Sequence, residues 1–69
     1  MNQQERILEY IDRFGSITPM EAFADLGITR LSARIWDINH TTPYLVEGTY
    51  EESNNRFGEK VRYKRYRLC

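Results

Sequence analysis

Two short stretches of this 69-residue chain carry side chains suited to gripping an anion. In "GITRLSARIWDI" (Gly27 to Ile38), Arg30 and Arg34 sit among the short side chains Thr29, Ser32 and Ala33. In "NRFGEKVRYKRYRL", Asn55, Arg56, Lys60, Arg62 and Lys64 fall close together. A guanidinium offers a rigid fork of donors that matches two phosphate oxygens or two acceptors on a base edge, and lysine adds a mobile point charge. This chemistry recognises; it does not break bonds. His40 is the sole histidine and has no nearby cysteine to share a metal, and Cys69 has no positioned base. The carboxylates are scattered and no glycine-rich phosphate loop is present. No catalysis, metal or cofactor is expected.

These residues need elements to hold them. "NQQERILEYIDRFG" places Ile7, Leu8, Ile11 and Phe14 at helical spacing with Gly15 as a stop, which predicts a helix over 3–14. In "SITPMEAFADLG", Thr18, Pro19 and Glu21 form a capping-box start, and Gly27 suits a left-handed stop. A second helix over 19–26 follows, with Met20, Phe23 and Leu26 as its expected buried stripe. Only Ile28 and Thr29 precede a third helix over 30–39, expected to be capped by Thr29, whose Leu31, Ile35 and Ile38 repeat at i, i+4 and i+7. Pro43 then disfavours helix at Thr42.

"YLVEGTY" (44–50) and "VRYKRYRL" (61–68) are rich in β-branched and aromatic residues and predict two strands around a polar loop. Ser16–Ile17 is a candidate stub strand beside them. The fold class is α+β, mainly α: three helices and a β-hairpin in the order of a winged helix-turn-helix, as one domain over 1–69. Ile7, Ile11, Phe23, Leu26, Leu31, Ile35, Ile38 and Leu68 are the expected core.

At 100° per residue, Arg30, Ala33 and Asp37 fall opposite the apolar stripe of the third helix, with Thr29 and Trp36 near them and Ser32 and Arg34 on the flanks. Small residues let such a helix sink into a major groove, where Arg can donate two hydrogen bonds to guanine. Arg34 has a plainer alternative, an i, i+3 pair with Asp37. Trp36 is expected to pack beneath the hairpin. Along the last strand, strict alternation puts Arg62 and Lys64 on one face with Tyr66 and Leu68, basic at one end and apolar at the other. A wing leaving the core to cross a phosphate backbone has this gradient; an edge strand guarded against aggregation has part of it.

"GSITPMEAFADLGITRLSARIWDI" followed by "NRFGEKVRYKRYRL" closely resembles a family of small helix-turn-helix proteins of bacteriophages and prophages, from about Glu5 to Leu68. The resemblance implies a winged helix-turn-helix domain that binds double-stranded DNA, as a regulator of transcription or a recombination accessory factor. It implies Thr29, Arg30, Ser32, Ala33 and Arg34 as readers, and Asn55, Arg56, Gly58, Lys60, Arg62 and Lys64 in the wing. "NHTTPYLVEGTY" departs from the family pattern, which has a more basic helix end and a glycine-containing turn there.

The net charge is zero, yet residues 1–50 hold four Arg against seven acidic residues, while 51–69 hold six Lys or Arg against three Glu. Neutrality argues against indiscriminate polyanion binding and makes the local placement of charge decisive. It also sustains a rival reading, a winged-helix adaptor or anti-repressor that binds a host or phage protein. Isolated domains of this size hold a half-site weakly, so a homodimer or cooperative array fits the DNA reading. The polar start "MNQQER", the lone cysteine and the lack of a long apolar run predict a cytoplasmic protein without a membrane span.

A chain this short buries only about 60% of its unfolded surface, so its core has little reserve. Leu31→Ala or Ile35→Ala is expected to cost about 2–5 kcal/mol in urea or thermal unfolding. Variants that melt with the parent would show that the helical phase assigned to this stretch is wrong.

Overall fold

Asn2 opens the first helix by accepting the Glu5 N–H on its side chain at 2.8 Å. The computed structural model describes residues 2–69. Helix α1 spans Gln3–Phe14, α2 Pro19–Leu26 and α3 Leu31–Thr41, followed by strands β1 (Val46–Asn54) and β2 (Lys60–Leu68). The first two helices have the bounds that their caps predict. Thr18 and Glu21 form the reciprocal box, with the Glu21 N–H donating to Thr18 Oγ1 at 3.2 Å and the Thr18 N–H to Glu21 Oε1 at 2.9 Å. Gly27, at φ 70°, turns the chain left-handed, and the next amide, of Ile28, closes back on the Ala22 carbonyl at 3.0 Å.

The third helix differs at both ends from the expected 30–39. Its N-cap is Arg30, which makes no side-chain cap bond, so Thr29 lies one residue too early to cap it. At the other end the Thr41 and Thr42 hydroxyls donate to the Asp37 and Ile38 carbonyls at 2.6 and 2.7 Å. These bonds add to the backbone ladder, in which the Thr42 N–H also donates to the Ile38 carbonyl at 3.1 Å, and reinforce the last turn up to Thr41. Thr42, ahead of Pro43, is extended.

The strands form an antiparallel hairpin in register from Val46↔Leu68 to Asn54↔Lys60. Much of the polar "EESNNRFGEK" segment is therefore strand, and β1 runs from 46 to 54 where 44–50 was expected. Asn55 makes the longer hairpin possible. Its Oδ1 accepts the Phe57 and Glu59 N–H groups at 2.9 and 3.0 Å, and Gly58 N–H donates to the Asn55 carbonyl at 3.0 Å, which closes a tight tip.

Ile17 is the predicted stub. Its N–H donates to the Tyr66 carbonyl at 2.9 Å and its carbonyl accepts the Tyr66 N–H at 2.8 Å, so β2 lies between β1 and this one-residue bridge. The Asn39 side chain grips the outer edge of β1, accepting the Val46 N–H at 2.8 Å and donating to the Val46 carbonyl at 3.2 Å. The hairpin is thus fixed to the helices from both sides.

The core comprises Ile7, Ile11, Ile17, Ala22, Ile28, Leu31, Ile35, Ile38, Val46 and Tyr66. Leu26 and Leu68 are half-buried, and Phe23, expected inside, is 60% exposed together with Met20 and Phe14. The eight-residue α2 is anchored at each end by the buried Ile17 and Ile28, and its inner face is centred on Ala22. Phe23 stands about 100° round from Ala22, and Met20 further still.

Gly48 lies across the hairpin from Tyr66, and a Cβ there would meet the Tyr66 ring at 2.9 Å and the Lys64 side chain at 3.1 Å. The buried ring packs on bare backbone. Gly48→Ala is expected to cost about 1–3 kcal/mol in thermal or urea unfolding, because the ring has no room to retreat into the core. A variant as stable as the parent would mean that Tyr66 has a second place to pack.

Candidate nucleic-acid interface

Two surfaces hold the residues singled out from the sequence. On α3, Thr29, Arg30 and Ser32 are exposed at the beginning of the helix, and Ala33 is half-exposed one turn in. Arg30 forms no ion pair with the described residues, so its guanidinium is available. Arg34 takes the plainer role, with its Nη2 3.2 Å from Asp37 Oδ2 and its Nε buried without a partner. The pair neutralises the carboxylate on this helix and leaves the small side chains without a competing charge.

Trp36 does not pack beneath the hairpin. It is 59% exposed, and the His40 ring stacks on it at 3.9 Å and 14° between planes. The reason lies in the helical phase: the hairpin is held by Asn39, on the flank of the buried stripe, whereas Trp36 and His40 lie towards the opposite side. The His40 Nδ1–H donates to the Trp36 carbonyl at 2.8 Å.

The hairpin separates its cations by face. Arg65 and Arg67 lie on one face with Glu51. Arg65 donates from Nε to Glu51 Oε1 at 2.9 Å and from Nη1 to Ser16 Oγ at 2.9 Å, and stands 3.7 Å from Glu21. Arg67 is 3.9 Å from Glu51 and donates to Thr49 Oγ1 at 3.3 Å. The hydrogen bond from Arg65 holds the Glu51 carboxyl below the usual glutamate range, and Glu51 in turn raises the Arg65 guanidinium. These two arginines tie the wing to its own strands and to the helices.

The other face carries Arg62 and Lys64, with Glu52 opposite Arg62, but no carboxylate among the described residues lies within 4.0 Å of either cation. Both lie against the exposed Tyr50 ring, the Arg62 guanidinium 4.5 Å and the Lys64 ammonium 5.2 Å from its centroid. Register makes this the face that ends in the buried Tyr66 and Val46, so the basic-to-apolar gradient read from the sequence is present. Arg56, Lys60 and Gly58 are exposed around the tip, whereas Asn55 spends its amide oxygen on the tip's own backbone. Tyr50 escaped sequence reasoning, which followed charge; the alternation that places it opposite Lys64 was the available signal.

No helix among the described residues is long and apolar enough to cross a membrane. A family model for the winged helix-turn-helix domain matches residues 2–69, and the chain belongs to that family. No curated protein and no solved structure matches it. Three helices, a two-strand antiparallel wing and this membership point to DNA binding in general.

The division of cations between faces can be measured. Glu51 has a lowered folded-state pKa, so its stabilisation is complete above the unfolded glutamate value and disappears as pH falls through the folded one. Glu51→Gln is expected to melt below the parent near neutral pH, and the gap should close as pH drops below about 4. A gap that stays constant with pH would assign the loss to packing and not to charge.

Proposed function

We propose that this winged helix-turn-helix protein recognises specific double-stranded DNA, with α3 in the major groove and the Arg62–Lys64 face of the wing on the phosphate backbone. The observation that carries the reading is the unequal treatment of the wing's cations. Arg65 and Arg67 pair with Glu51, while Arg62 and Lys64 lie against an exposed tyrosine with no carboxylate within 4.0 Å, although Glu52 stands opposite Arg62 in the register. Edge protection against aggregation calls for charge, but not for charge sorted in this way. Thr29, Arg30, Ser32 and Ala33 are the proposed readers, and Arg34 helps by holding Asp37. Arg56 and Lys60 extend the phosphate contacts beyond the tip, with Asn55 and Gly58 shaping it.

A chain of zero net charge gains little from long-range attraction, so this arrangement suits a regulator that finds a particular site. The resemblance to phage and prophage proteins supports a phage regulator of transcription or a recombination accessory factor acting in the cytoplasm. Exposed Met20 and Phe23 on α2 support a homodimer on paired half-sites. The same apolar residues favour the second reading, an adaptor or anti-repressor that docks on a protein.

Anisotropy titrations on a preferred and an unrelated duplex, at several salt concentrations, separate these readings. Arg30→Ala is expected to cost about 1–3 kcal/mol on the preferred site and much less on unrelated DNA. Arg62→Ala and Lys64→Ala should weaken both duplexes similarly, and each should flatten the log–log salt dependence by about one unit. If no duplex binds more tightly than about 0.1 mM at low salt, weaker than ordinary non-specific binding, the adaptor reading replaces this one.

A further inference from the structure

The exposed side of α3 is a row of short side chains interrupted by one aromatic pair. Trp36 is 59% exposed, yet it is not loose. The His40 ring lies on it at 3.9 Å and 14°, and the His40 Nδ1–H is tied to the Trp36 carbonyl at 2.8 Å. Held at two points, the imidazole forms a fixed plate against the indole. A mobile aromatic side chain loses rotamer freedom when it binds, and a stack already in place lessens that loss. The neighbouring Arg34 and Asp37 pair with each other at 3.2 Å, so neither stands as an unpaired charge beside the indole. Trp36 therefore offers the largest apolar surface on this helix together with one donor, its indole N–H.

The major groove offers few counterparts for an apolar plate with a single donor. Thymine presents both matching features on one edge, the C5 methyl and the O4 acceptor. Cytosine presents an amino donor, which opposes the indole N–H. Guanine presents two acceptors and no apolar group, a pattern that suits Arg30 better. Adenine pairs an acceptor with a donor and also lacks a methyl. Resting on the DNA reading above, we infer that Trp36 is a specificity-determining residue that selects thymine, its indole covering the C5 methyl of a base in the preferred site. His40 is the positioning residue that holds the ring in place.

The test uses the full chain and a duplex selected by it from a randomised library. Each thymine in that duplex is replaced in turn by deoxyuridine, which removes the methyl group alone. At one or two positions the parent should lose affinity about three- to five-fold by anisotropy, the size expected for one buried methyl. Trp36→Ala should bind the thymine and uracil duplexes equally. Trp36→Phe keeps an apolar ring without the donor and should retain the methyl sensitivity, which guards against a misfolded alanine variant. His40→Ala should reduce the thymine-to-uracil ratio while its salt dependence matches the parent's. Equal binding to every uracil-substituted duplex overturns the inference and leaves the DNA reading standing. So does a methyl sensitivity that survives in folded Trp36→Ala, which would assign it to Thr29 or Ala33. If no duplex binds at all, the DNA reading fails and this inference fails with it.

Discussion

The pair of backbone hydrogen bonds between Ile17 and Tyr66 holds this architecture together. An isolated two-stranded hairpin is marginal in water, so a wing keeps its shape only when something beyond its own ladder holds it. Here the base of β2 is paired on both sides, and the Tyr66 side chain is buried in the helical core. The glycine opposite, Gly48, makes room for the ring. On the far edge the Asn39 amide takes both backbone groups of Val46, a side-chain substitute for another strand. Because Asn39 belongs to α3, the helix that faces outward and the strand that begins the wing share one joint.

That joint explains why the outer half of the wing is free to serve another purpose. Nine-residue strands reach well past the helices, and the molecule measures 40 × 21 × 21 Å. Near the base, Arg65 connects Glu51, Ser16 and Glu21 in a network that spans wing and body. Such partly exposed ion pairs contribute modestly one by one, but a shared arginine orients three elements at once. On the opposite face Arg62 and Lys64 lie on Tyr50, and Glu52, opposite Arg62 in the register, does not come within 4.0 Å of either. One hairpin thus combines a face tied to the body by ion pairs and a face whose cations make none within 4.0 Å, and register keeps them apart.

The exposed side of α3 follows a different logic. It carries little charge, because the Arg34–Asp37 pair closes on itself. Its shape is small at the beginning of the helix and broad at Trp36, stiffened by His40. Under the proposed reading, a surface of this kind would discriminate by fit and by a few directed bonds and leave general attraction to the wing. The zero net charge of the chain is consistent with this division of labour.

Much of this was legible in the residues alone. The caps at Thr18 and Gly27, the i, i+4, i+7 repeat of α3 and the β-branched strands are local signals whose physics needs no partner, and they determined the element order and the bounds of two helices. The alternation along 61–68 likewise determined which cations share a face. Rotation about the axis of α2 was not determined locally. Met20, Phe23 and Leu26 form a plausible stripe, yet Ile17 and Ile28 outside the helix decide which face turns inward, and only packing reveals them. The same holds for Trp36, whose exposure depends on where the hairpin joins α3, and for the wing's length, which depends on how Asn55 folds the tip. Charge pairing was decided last, since alternation separates Arg62 from Arg65 but does not say which acids the fold brings within reach of each.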